Sequence, residues 1–196
     1  MGMILGKITV ETPKYTVIHS AAEYEIREYP PSVIAEVTYN ATQFRGNRDG
    51  GFTVLANFIG ALGNPQNAKP EKIPMTAPVI TKQSEQIAMT APVVTKGDDE
   101  AVTMQFILPS KYTRADEAPK PLDERVLIKE EGVRKYAVVR FSGTASDKVV
   151  QEKVENLKNC LDRDGHKTIG DFELARYNPP WTLPPLRTNE IMIPVE

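Results

Sequence analysis

Cysteine is nearly missing from this chain. Cys160 is the only one in 196 residues, so an internal disulfide framework is excluded and a reducing compartment fits. Charge of one sign is missing too. The 24 basic and 26 acidic side chains are scattered along the chain, which leaves no basic footprint for nucleic acid or an acidic membrane. No long apolar run occurs, and Met1 to Gly6 lacks the charged and apolar regions of a secretory signal, so a cytoplasmic protein without stable membrane insertion is expected. Two histidines, His19 and His166, and one cysteine in an expected helix offer no convergent catalytic set, so an enzyme is not expected. A single compact domain of this length would bury roughly 70% of its unfolded surface and needs no covalent staple.

What the chain does contain is a phrase written twice. Lys72 to Lys82 (KIPMTAPVITK) and Gln86 to Lys96 (QIAMTAPVVTK) agree at eight of eleven positions. Ile73, Met75, Ala77, Val79 and Thr81 alternate with Pro74, Thr76, Pro78, Ile80 and Lys82, the period of a strand. Proline cannot donate to a ladder, so Pro78 and Pro92 suggest a sheet edge, a bulge or a barrel rim rather than a central strand. The two copies either form a hairpin around Gln83-Ser84-Glu85 or compete for one place in the sheet.

Strand patterns run over Tyr15 to Ser20, Tyr24 to Glu28 and Val33 to Tyr39, the last with Val33, Ala35, Val37 and Tyr39 on one face. Phe52, Leu55, Ile59 and Leu62 recur at helical spacing and predict a first helix over 52–62. Strand character returns at Val102 to Leu108, Val126 to Lys129 and Tyr136 to Phe141, with a proline-bearing surface loop over 109–125. Ser146 caps a second expected helix with the stripe Val150, Val154, Leu157 and Leu161, stopped at Asp164-Gly165. Leu174 to Tyr177 and Glu190 to Val195 are the closing strands, joined by the proline-stiffened loop Asn178 to Arg187.

The order strands, helix, strands occurs twice, and Val37 to Thr42 resembles Arg140 to Ala145 ahead of each helix. Two such halves bury their apolar faces by joining into one large sheet or barrel with helices outside. The expectation is an α+β fold: a distorted, mostly antiparallel β-barrel of two similar halves, each with one flanking helix. It forms one domain over 1–196 with a short flexible N-terminus of about residues 1–12. The stretch from Gly51 to Leu62 carries no charge, and a helix apolar on most sides must be covered by something. A core position, an oligomer contact and a flat apolar ligand each satisfy that demand.

The Met-Thr-Ala-Pro-Val phrase, Ala175 to Trp181 and the ending Arg187 to Ile191 together resemble the SOUL or haem-binding-protein family, particularly its plant branch. The resemblance covers the chain from about Tyr15 onward. It implies the barrel described above, related to bacterial drug-sensing effector domains. It also implies reversible binding of haem or another porphyrin, free-base rings included, by a cytosolic carrier or buffer without catalysis. The family usually shows the phrase once, so the second copy is a departure.

Haem needs an apolar slab for its ring and cations or amides for its propionates. The expected slab is Phe52, Leu55, Phe58, Ile59 and Leu62, with Trp181 and Leu183 from the proline-rich loop. Arg45, Arg48 and Arg187 are the expected propionate partners, with Lys69 and Lys72 also flanking the helix. Animal members are thought to carry basic residues on the first helix itself, and this one has none. Trp181 serves equally well as a plug for the barrel end. No axial ligand is assigned: neither histidine sits in a ligand motif, and Met75 and Met89 read as core fillers. Glu190 is of interest because the related effector domains use a buried carboxylate to attract cationic ligands. On an exposed strand it would simply be solvated. A monomer is expected, with a homodimer as the alternative. The competing functions are a general module for hydrophobic small molecules and an interaction domain that uses the apolar first helix.

Overall fold

The structure is a computed structural model and describes residues 7–40, 50–83 and 101–196. Nine strands form one sheet: β1 (Thr16–Ser20), β2 (Glu25–Tyr29), β3 (Ser32–Asn40), β4 (Val79–Gln83), β5 (Ala101–Ile107), β6 (Val126–Glu131), β7 (Arg134–Ser142), β8 (Glu173–Arg176) and β9 (Thr188–Pro194). Helix α1 (Gly50–Ile59) follows β3, and α2 (Asp147–Asp164) follows β7. The order across the sheet is β1-β2-β7-β9-β8-β4-β5-β3-β6, and every pairing is antiparallel. The expected two-fold echo is present with a crossover. Strand β2 pairs with β7 of the second half, and β6 pairs with β3 of the first.

One face of the sheet is covered by the helices. The alternation of β3 puts Val33, Ala35, Val37 and Tyr39 under α1, together with Val102, Met104 and Phe106 of β5. Gly51 lets the helix close in: a Cβ there would lie 2.4 Å from the Tyr39 ring. Ile26, Ala137, Ile191 and Ile193 meet the α2 stripe Val150, Val154, Leu157 and Leu161. The α2 ends match their sequence signals. Ser146 Oγ accepts from the Val149 N–H, and Gly165 takes the left-handed conformation at φ 76°.

Two expectations are corrected. The first helix stops at Ile59, because Gly60 turns at φ 78° and the Ala61 N–H bonds back to the Ala56 carbonyl at 2.8 Å, so Leu62 lies past the helix and is 58% exposed. The first copy of the phrase enters a central strand, not an edge: β4 lies between β8 and β5. Proline is tolerated because Pro78 precedes Val79, the first residue of the ladder. Both flanks of β4 are taken, which leaves no edge for a hairpin with the second copy; Gln86 to Lys96 lies outside the described residues. Near the N-terminus, the Glu11 carbonyl accepts from the Ala77 N–H at 2.9 Å, and its carboxylate accepts from the Ser110 N–H at 2.9 Å.

Candidate functional site

The face away from the helices curls into a concavity. Tyr29 of β2, Ile80 of β4, Gln105 of β5, Tyr136 of β7, Glu173 of β8 and Met192 of β9 all converge on one central cavity. Beside this cavity the concave face carries buried charge, Arg27, Glu36, Glu173 and Glu190 among it. Arg27 Nη1 donates to Glu190 Oε1 at 2.9 Å, its Nε to Glu25 Oε2 at 2.8 Å, and Tyr177 Oη donates to the other Glu190 oxygen at 2.7 Å. Glu190 is 3% exposed, so it belongs to an internal ion pair and not to a solvated strand face. The Tyr15 ring lies against the Arg27 guanidinium, with its centroid 4.2 Å from Cζ. Farther round, Gln105 Nε2 donates to Glu36 at 2.6 Å, Lys129 also reaches Glu36, and Tyr136 Oη donates to Glu173 at 3.3 Å.

Burial sets the protonation of this wall. It is the main cause that raises the Glu173 carboxyl above the ordinary value, against the pull of Lys82 3.8 Å away. Burial also raises Glu36, but the hydrogen bonds from Lys129 and Gln105 outweigh it and leave the carboxyl below its usual value. Tyr29 is pushed by burial to about 12, and Tyr136 and Tyr177 are raised for the same leading reason. The folded state therefore holds these phenolic protons more tightly than the unfolded chain does, where the value is 10.0. Their stabilising contribution is complete below pH 10 and is lost as pH rises towards the folded values, by up to about 1.4 kcal/mol per pH unit per tyrosine. Phenolate absorbance followed against circular dichroism checks this. Tyr29, Tyr136 and Tyr177 are expected to ionise only as the fold is lost, and ionisation of all tyrosines near pH 10 with the fold intact contradicts it.

The central cavity itself is nearly full. Its free space is about 20 Å³, room for about one water, whereas ligand pockets run to about 300–1,000 Å³. A wider open groove of about 370 Å³ lies beside α2, floored by Val139 and Leu157 and rimmed by Glu23, Lys153, Asn156 and Cys160.

The expected slab residues are not brought together. Leu55, Phe58 and Ile59 are 0, 1 and 2% exposed, packed within the core that Ile73, Leu108, Tyr112 and Ala118 close over α1. The chain's own loops thus cover the uncharged helix. Buried Asn67 fastens them to it, donating to the Phe58 carbonyl at 3.0 Å, and the Ile73 N–H bonds to the Ile59 carbonyl at 3.0 Å. Phe52 is half-buried edge-on to Phe106. Trp181 and Leu183 are 66% and 53% exposed, on a loop whose short 3-10 turn packs on β7, while α1 packs on β3, β5 and β6. Arg187 does not reach outward. Its Nε and Nη2 donate to the carbonyls of Thr182 at 2.8 Å and Pro180 at 2.6 Å, bracing the loop that carries Trp181. Arg45 and Arg48 lie outside the described residues. In the buried Arg27–Glu190–Tyr177 network, Arg27 is the member that the sequence did not single out. Its only signal was charge at alternate positions of strands that otherwise read as half-buried.

A curled antiparallel sheet of two similar halves, with one helix behind each and a polar concave face, defines the molecule as a barrel-like α+β protein. The chain belongs to the SOUL heme-binding protein family, whose model matches residues 10–194. Its fold is similar to the EcmrR C-terminal domain, at TM-score 0.56 and 12% identity over 93% of this chain and 98% of that one. It is also similar to a hydrolase from Listeria innocua, at TM-score 0.55 and 12% identity over 91% and 94%. No curated protein matches. Among the described residues no helix is long and apolar enough to cross a membrane.

Proposed function

We propose that this protein binds haem or a related tetrapyrrole reversibly, as a cytosolic carrier or buffer that does no chemistry on the ring. The observation that carries the reading is Trp181, held two-thirds exposed on a braced loop in a chain of a heme-binding family. Large aromatics are normally kept from water, and a platform of Trp181 with exposed Leu183 and Leu186 suits the face of a planar macrocycle. The loop is braced by its own hydrogen bonds. Besides the two Arg187 bonds, Asn178 Oδ1 accepts from the Thr188 N–H at 2.7 Å and the Tyr177 N–H bonds to the Thr188 carbonyl at 3.1 Å. Arg140, at the root of the loop with its guanidinium 3.5 Å from Thr188 Oγ1, is the cation at hand for a propionate. The residues fit the face and the carboxylates of the group. They assign no axial ligand, so metal-free rings are expected to bind comparably.

Titration with haem and with protoporphyrin, side by side, tests the proposal. Trp181 is the only tryptophan, so quenching of its emission reports directly on the platform, alongside a shift of the Soret band. Trp181→Ala is expected to weaken both ligands by about tenfold while stability changes by less than about 0.5 kcal/mol. Absence of both signals at micromolar ligand with folded protein overturns the reading. The groove beside α2 favours a second location. If Lys153→Glu weakens binding and Trp181→Ala does not, the ring sits there.

A further inference from the structure

The chain has only two histidines, 147 positions apart, and the fold brings their rings together. The His19 and His166 ring centroids are 5.2 Å apart, at an interplanar angle of 57°. Each is delivered by a local irregularity. His19 lies on the exposed edge strand β1, where the register with β2 shifts between Val17 and His19, the kind of bulge that re-aims a side chain. His166 follows the left-handed Gly165 that ends α2, and its N–H is held by the Leu161 carbonyl at 2.9 Å. Tyr24 stands beside both rings, with centroids 6.1 and 6.2 Å away, and its hydroxyl donates to Asp164 Oδ2 at 2.9 Å.

We propose that His19 and His166 form a two-histidine chelate for a divalent transition-metal ion of the zinc, nickel and copper type, completed by water. Imidazole is a preferred ligand of these ions. With metal–nitrogen bonds of about 2.0–2.1 Å and a tetrahedral angle, two ligating imidazoles hold their ring centres about 5 Å apart, the separation already present. His19 is exposed and His166 half-buried, so water has access to the remaining positions. The neighbouring cations are neutralised: Arg163 is paired with Asp164 and Glu23, and Lys167 with Glu196. Among the described residues no group of three or more His, Cys, Asp or Glu is arranged around a metal, so the ion is exchangeable and its affinity that of two imidazoles. Bound there, it ties edge strand β1 to the end of α2. This inference is independent of the tetrapyrrole reading and is measured without porphyrin.

The test is calorimetric titration of untagged, full-length protein with Zn2+, Ni2+ and Cu2+, one at a time. The expected result is one ion per chain at micromolar affinity, with Cu2+ tightest, following the general order for nitrogen sites. His19→Ala and His166→Ala are each expected to weaken binding at least tenfold, and the double variant is expected to bind no more tightly than either single one. Both residues lie at the surface, and circular dichroism verifies the fold. Hydrogen exchange gives a second readout, with β1 amides slowed by metal in the parent and not in the variants. Unchanged affinity in either single variant, or no binding by the parent at millimolar ion, overturns the proposal.

Discussion

Replacing Arg27 with alanine is expected to destabilise the fold by about 3–5 kcal/mol. Arg27 is buried with its Nη1 2.9 Å from Glu190, and removing it leaves a carboxylate 3% exposed and held, among the described residues, by the Tyr177 hydroxyl alone at 2.7 Å. An uncompensated buried charge either stays ionised at high cost or takes up a proton, and both erode the native state. The variant also frees Tyr15, whose ring covers the guanidinium, and opens the β1 edge. The loss arises from orphaning one partner, so replacing both should recover most of it. Arg27→Met with Glu190→Leu is expected to return within about 1 kcal/mol of the parent, because an apolar pair carries no desolvation penalty. Urea unfolding midpoints of the three proteins check this. A loss below 1 kcal/mol for Arg27→Ala would mean that water reaches Glu190 and that the concave face is open.

Phe58→Ala carries the second large effect, about 3–5 kcal/mol, through the cavity it leaves between α1 and the sheet. Phe58 is 1% exposed in the cluster with Val37, Leu55 and Met104, and the backbone around it is fixed by Asn67 and cannot collapse freely. Leu62→Ala, four residues further along the expected helix, is expected to change stability by less than about 0.5 kcal/mol, because Leu62 already stands in solvent. Thermal denaturation of the pair separates helix core from helix overrun. Under conditions where Phe58→Ala remains folded, porphyrin titration is expected to match the parent. A selective loss of affinity would return α1 to the binding surface.

The covering of α1 shows where sequence reasoning reached its limit. An uncharged stretch from Gly51 to Leu62 demanded a cover, and the demand was legible. The cover came from Tyr112 and Ala118, in a loop without a period, and from Ile73 and Leu108, which lie outside the strands their alternation predicts because β4 starts at Val79 and β5 ends at Ile107. Periodicity reports one face of one element, so it is silent on irregular chain that folds over another face. Glu190 shows the complementary limit. Its position in a strand was readable, but its burial depends on Arg27, 163 residues away, and on the curl that carries β2 and β9 round to the same wall.

Local chemistry written in the chain set the strands, both helices, the Ser146 and Gly165 ends of α2, and the alternation that hides Val33, Ala35, Val37 and Tyr39. Each of these follows from interactions between residues a few positions apart, or from a period matched to one apolar face. Which strands neighbour one another, which copy of the phrase enters the sheet at β4, and which charges and rings meet across the concavity are settled by long-range pairing. That pairing joins strands far apart in the sequence, so no single segment encodes it.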